Sequence, residues 1–169
     1  MKIADFVKAA CVVCLALGIA AAQDSKPRTA TPSPPVWHRS AKLVAGAGDW
    51  TVTIQTAQPL PDAAGYHSVG ANAVPFAIVG QQGQYNWTQV LSHEIIEMLI
   101  DPFPAAIAGP SGARPLEPCD PVVGESYAID GVAVADFVYP AWFLQSTLAH
   151  PSQLDFLDTH GLRALWDTR

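Results

Sequence analysis

Cysteine is scarce in this chain, and that scarcity removes a class of fold. Of its three cysteines, Cys11 and Cys14 fall within an apolar N-terminal run and only Cys119 lies beyond it. A lone cysteine forms no internal disulfide, so a disulfide-stapled scaffold is excluded if the N-terminal run is removed. Cys119 then reads as a small buried residue, a reactive thiol or a ligand, with burial the default. Basic residues are also few: nine Lys and Arg stand against fifteen Asp and Glu, for a formal net charge of −6. With no basic cluster, a nucleic-acid partner is not expected. Beyond the N-terminus no apolar run approaches the roughly 20 residues of a membrane span, so none is expected in the mature chain. There are no internal repeats, which argues against a solenoid.

The N-terminus reads as a secretory signal peptide over residues 1–22. Lys2 and Lys8 supply positive charge, residues 9–22 are apolar, and Ala20-Ala21-Ala22 offers a cleavage site before Gln23. Residues 23–36 form a Pro/Ser/Thr-rich leader without apolar periodicity. Residues 37–169 then make a single domain, and the protein is expected to be secreted or periplasmic.

Within that domain, residues 42–45 and 50–56 look like strands. In the second, Trp50, Val52 and Ile54 alternate with Thr51, Thr53 and Gln55. Residues 73–79 are a further strand, which Pro75 assigns to a sheet edge. Residues 102–115 read as a loop, and residues 117–121 as extended chain because residues before proline avoid the helical region. Residues 126–129 and 132–136 flank Asp130-Gly131, a favoured hairpin turn. Residues 140–143 form an aromatic turn packed on the core, and residues 153–166 a short terminal helix. Trp37, Trp87, Trp142 and Trp166 are expected in the core or at its rim, and His38, His150 and His160 at the surface.

The chemistry concentrates in residues 91–102, where Ser92-His93-Glu94-Ile95-Ile96-Glu97 carries H-E-x-x-E. Asn86 or Thr88 caps this helix and Asp101-Pro102 ends it. At about 100° per residue, with His93 at zero, Glu97 lies at about 40°, Asp101 at about 80° and Glu94 at about 100°. Leu91, Ile95, Ile96, Met98, Leu99 and Ile100 cover most of the remaining circumference. An acidic stripe on an otherwise buried helix is costly unless a cation or hydrogen bonds compensate it; a solvated edge is the alternative. Spacing of i and i+4 lets His93 and Glu97 share one metal ion, with Glu94 beside them as general base.

The blocks Trp87, Leu91-Ser92-His93-Glu94, Glu97-Met98-Leu99 and Asp101-Pro102 are followed by Glu117-Pro118-Cys119-Asp120-Pro121-Val122. Ser126-Tyr127, Ile129-Asp130-Gly131-Val132, Val134, Asp136-Phe137-Val138 and Pro140-Ala141-Trp142-Phe143 continue the pattern, and Gly65-Tyr66-His67 precedes it. Together they resemble an uncharacterised bacterial and phage family that is similar to zincin metallopeptidases. Val123 stands where that pattern has Glu. The resemblance implies a small α+β zincin-like domain, with a mixed or antiparallel sheet packed on a central H-E-x-x-E helix.

It also implies a metal held by His93, Glu97 and Glu117, with Asp120 as substitute or supporting group. Zn²⁺ leads, and Mn²⁺ or Ca²⁺ suit the oxygen-rich set. Glu94 is then the general base, and His67 or Tyr66 donates to a developing oxyanion. Asp101 and Asp136 are candidates to orient His93, with helix termination and turn capping as their alternatives. The expected function is a secreted metal-dependent hydrolase acting on peptide or protein. Its alternative is a non-catalytic binding or structural protein that keeps the fold and a structural ion. A nucleophilic Cys119 is disfavoured, since its acidic neighbours raise a thiol's pKa.

Overall fold

The computed structural model describes residues 50–109, 112–144 and 154–158. The expected signal peptide, leader and strand at 42–45, with Trp37, Trp166, His38, His150 and His160, lie outside these residues. The class is α+β, built on a mixed three-stranded sheet.

That sheet comprises β1 (Thr51–Gln55), β2 (Gly65–Val69) and β3 (Pro75–Gly80), in the order β1-β3-β2. β3 runs parallel to β1 and antiparallel to β2. The position inferred from Pro75 is therefore corrected: β3 is the central strand. Pro75 is its first residue, where a missing N–H interrupts the ladder least. Val79 and Ala77 on this strand are fully buried.

Helix α1 (Trp87–Ile100) contacts β2 and β3 as well as the strand Val132–Ala135 of the C-terminal half. Asn86 is its N-cap, accepting from the Thr88 N–H at 3.0 Å. Thr88 uses its hydroxyl to donate to Ala133 O at 2.9 Å. At the other end the Asp101 N–H donates to Glu97 O at 2.7 Å, and Asp101 accepts from the Ala105 N–H at 2.6 Å. Val90 and Leu91 pack with Val79, while Ile96 and Ile100 pack with Cys119, Ala135 and Phe137. The helix thus joins two clusters, and the solvated-edge alternative is excluded: Glu94 and Glu97 are only 5% and 3% exposed.

Residues 102–115 are not a plain loop. β4 (Ala106–Gly109) and β5 (Gly112–Pro115) pair antiparallel there. The extended reading of residues 117–121 fails at its end, where Asp120–Val122 is a 3-10 turn with Pro121 in its first positions. A proline at the start of a helical turn loses no hydrogen bond.

β6 (Ser126–Ile129) and β7 (Val132–Ala135) form the expected hairpin. Asp130 and Gly131 take φ values of 51° and 80°, as a two-residue turn with both centres left-handed requires. α2 (Pro140–Leu144) carries Trp142 and Phe143 into a core with Val138 and Leu154. The terminal helix is not present where the chain is described. Leu154–Asp158 is irregular and bridges Asp155 to Val138.

Candidate metal centre

Strand parity and helix periodicity bring two histidines together. On β2, Gly65, His67 and Val69 share one face by alternation. A Cβ built on Gly65 would lie 2.7 Å from Glu94 Oε1 and 2.8 Å from Val90 Cγ1, so this face abuts α1 and only glycine permits the approach. His67, paired with Ala77 in the sheet, therefore points at the helix. Tyr66 stacks edge-on with Phe76 at 6.0 Å, and by parity it belongs to the opposite face. It is not an oxyanion donor for this site.

From α1, His93 Nε2 lies 3.1 Å from Glu97 Oε2. The same nitrogen lies 3.3 Å from Asp120 Oδ1, which the 3-10 turn delivers. His67 Nδ1 is 3.7 Å from Glu97 Oε2 and 3.8 Å from Glu94 Oε2. Glu97 Oε1 is fixed separately, accepting from the Cys119 N–H at 3.1 Å. Two groups of side chains have donor atoms mutually within 4.8 Å among the described residues: His93, Glu97 and Cys119, and His67, Glu94 and Glu97. Glu97 belongs to both. Glu117 and Asp120 belong to neither, although Asp120 touches His93 and Glu117 interacts with Glu97 and Asp120.

The assignment of Asp101 and Asp136 is corrected. Asp101 caps the chain at Ala105. Asp136 accepts from the Leu157 N–H at 3.2 Å and meets Asp155, both carboxyls fully buried. Their short side chains serve the nearest orphaned backbone amide and do not reach His93.

The electrostatics are those of an anionic cluster, buried at Glu94 and Glu97 and open to solvent at Asp120. Burial pulls the His93 imidazole down, but Glu97, Asp120 and Glu94 outweigh it and hold its pKa well above 6.5. His67 is raised in the same way, burial being overcome by Glu94, Glu97 and Glu117. Burial raises Glu94 above 4.5. Burial, then repulsion from Glu97 and Asp120, lifts Glu117 to about 7. Asp120 is lowered by its hydrogen bond to His93. Cys119, fully buried, is pushed well above 9.0, which removes the thiolate a nucleophile needs. Arg114 is the only Lys or Arg among the described residues, and its guanidinium lies over the Trp142 ring at 5.7 Å.

The donor set fits a divalent cation. Two donors about 2.1 Å from one zinc ion at the tetrahedral angle stand about 3.4 Å apart. The His93–Glu97 and His93–Asp120 separations of 3.1 and 3.3 Å are close to that edge. Imidazole, carboxylate and thiol donors also match zinc's ordinary ligand types. A pocket of about 240 Å³ opens beside the cluster, lined by Asp62, Gly65, Tyr85, His93, Glu94 and Asp120 among others. Its size suits one side chain rather than a whole drug-sized ligand, which takes about 300 Å³ or more.

The sequence missed His67 as a possible ligand. The signal was available: alternation in Gly65-Tyr66-His67-Ser68-Val69 places His67 on the glycine face, where a helix can come close. Comparison with protein-family models, with curated proteins and with solved structures returns no match.

Proposed function

We propose that this protein is a secreted, zincin-like metal-dependent hydrolase acting on peptide bonds. The observation that carries the reading is the buried His93–Glu97 pair, 3.1 Å apart on one helix, with Glu94 beside it at the wall of a pocket. His93 and Glu97 hold the ion, and the 117–120 segment supplies the further donor. Asp120 contacts His93, and the Cys119 sulfur comes within range of both helix ligands.

A bound divalent cation, Zn²⁺ first and Mn²⁺ or Ca²⁺ next, supplies a Lewis acid that polarises a substrate carbonyl and acidifies water. Glu94 takes a proton from the attacking water and returns it to the leaving amine. Its raised pKa suits both steps, because a general base works best with a pKa near the working pH. Gly65 leaves room for that carboxylate. His67 holds Glu94 from the sheet side, and a raised pKa lets its protonated form face developing negative charge. The reading of secretion rests on the N-terminal pattern alone. Among the described residues no helix is long and apolar enough to cross a membrane.

The test is cleavage of a mixed fluorogenic peptide library by protein loaded with a single equivalent of Zn²⁺. Glu94→Gln should lose at least 100-fold in rate, the range assigned to general acid–base catalysis, with the ion on His93 retained. Equal rates for the two proteins would exclude the mechanism. No cleavage by wild type, with one ion bound, would favour the non-catalytic alternative.

A further inference from the structure

The cluster holds more donors than one ion uses. Two donor groups meet at Glu97: His93 and Cys119 complete one, and His67 and Glu94 the other. Glu97 Oε2 stands between the two imidazoles, 3.1 Å from His93 Nε2 and 3.7 Å from His67 Nδ1.

Hydrogen bonding does not account for His67. Its side chain is 3% exposed, and its Nε2 is buried with no hydrogen-bond partner. Its Nδ1 sits 3.7 and 3.8 Å from the carboxylate oxygens of Glu97 and Glu94, too far for a hydrogen bond to either. Donors about 2.1 Å from a shared cation have separations near these when their angle is wide. The carboxylates point the same way. Glu94 and Glu97, the carboxylates that face His67, are both buried, and Arg114, the one Lys or Arg among the described residues, lies over Trp142.

We infer that His67, Glu94 and Glu97 form a second divalent-cation site, which shares Glu97 with the ion held by His93. The inference rests on the proposed function for that first ion. Carboxylate-bridged pairs of metals are an ordinary arrangement in hydrolases. Gly65 and Glu94 line the pocket, so the site has an entry path. In this chain the second ion occupies the carboxylate that moves the proton. Metal beyond the first equivalent therefore blocks Glu94 and suppresses hydrolysis, and the second site acts as a brake set by free metal.

The experiment is equilibrium dialysis of the full chain against Zn²⁺ alone, with bound metal counted by elemental analysis. Wild type is expected to bind two ions per chain, the second released at lower chelator concentration. His67→Ala and the milder Glu94→Gln are each expected to bind one. Thermal unfolding in chelator checks that both variants are folded, and Glu94→Gln keeps the test informative if His67→Ala is not. One ion in wild type at saturating Zn²⁺ would overturn the second site and leave the first intact. Two ions in folded Glu94→Gln would overturn it as well. No ion in wild type would remove both readings together.

Discussion

The backbone N–H of Cys119 donates to Oε1 of Glu97 at 3.1 Å, which fixes one carboxylate oxygen and leaves the other for His93 and His67. This contact ties the helix to the segment bearing Glu117 and Asp120. It also buries the Cys119 thiol completely among anionic neighbours. Alkylation by iodoacetamide, mapped by mass spectrometry, should leave Cys119 unmodified in native protein and modify it after denaturation. Rapid native labelling would contradict its burial.

Gly65 sets how closely β2 approaches the helix. A methyl group there meets Glu94 Oε1 at 2.7 Å and Glu94 Cγ at 2.9 Å. Gly65→Ala is expected to displace the Glu94 side chain and to cost about 1–3 kcal/mol, the usual range for overpacking. Hydrolysis should fall while the ion on His93 is retained. Unfolding midpoints with rate and metal content would check this; unchanged activity would show that Glu94 does not sit where the proton is moved.

Ser92 secures the helix next to His93. Its hydroxyl donates to Gln89 O at 2.8 Å and accepts from the Ala135 N–H at 2.8 Å. Ser92→Ala strands a buried β7 amide and should cost about 1–3 kcal/mol, the penalty for an unsatisfied buried donor. Denaturant midpoints measure it. A loss below about 0.5 kcal/mol, the level of ordinary surface substitutions, would mean that water replaces the hydroxyl.

Asp136 gives the fold a pH dependence. Burial, with Asp155 alongside, lifts its carboxyl to about 7, and Cys119, Tyr127 and Tyr139 also face it. The folded state then holds a proton that the unfolded chain releases near pH 4. Its contribution is complete below that pH and is lost as the pH rises through about 7. Asp136→Asn stays neutral throughout. Its Tm relative to wild type should rise between pH 4.5 and 8, and a difference independent of pH would contradict the proton-bearing carboxyl.

The elements legible in the sequence were those whose local signals agree. The H-E-x-x-E helix has its cap at Asn86 and its stop at Asp101-Pro102, and the β6–β7 hairpin has Asp130-Gly131. The β4–β5 hairpin was not legible, because Ala, Gly and Pro dominate residues 106–115 and no alternation marks a buried face. Pro75 misled because its cost depends on position within a strand, and only the tertiary structure shows that it comes first. In the site, His93, Glu94 and Glu97 follow from one helical turn. The partnership with His67 needs β2 to pack on the helix, a tertiary contact that alternation within the strand does not fix.

Both proposed sites require a cation in the cluster around Glu97. The measurement that tests it most directly is the metal content of the purified protein beside His93→Ala, by elemental analysis. At least one divalent ion per chain, lost or greatly weakened in the variant, is the predicted result. No metal in either protein after incubation with Zn²⁺, Mn²⁺ and Ca²⁺ would contradict it, and the acidic cluster would then be a charge network serving the fold alone.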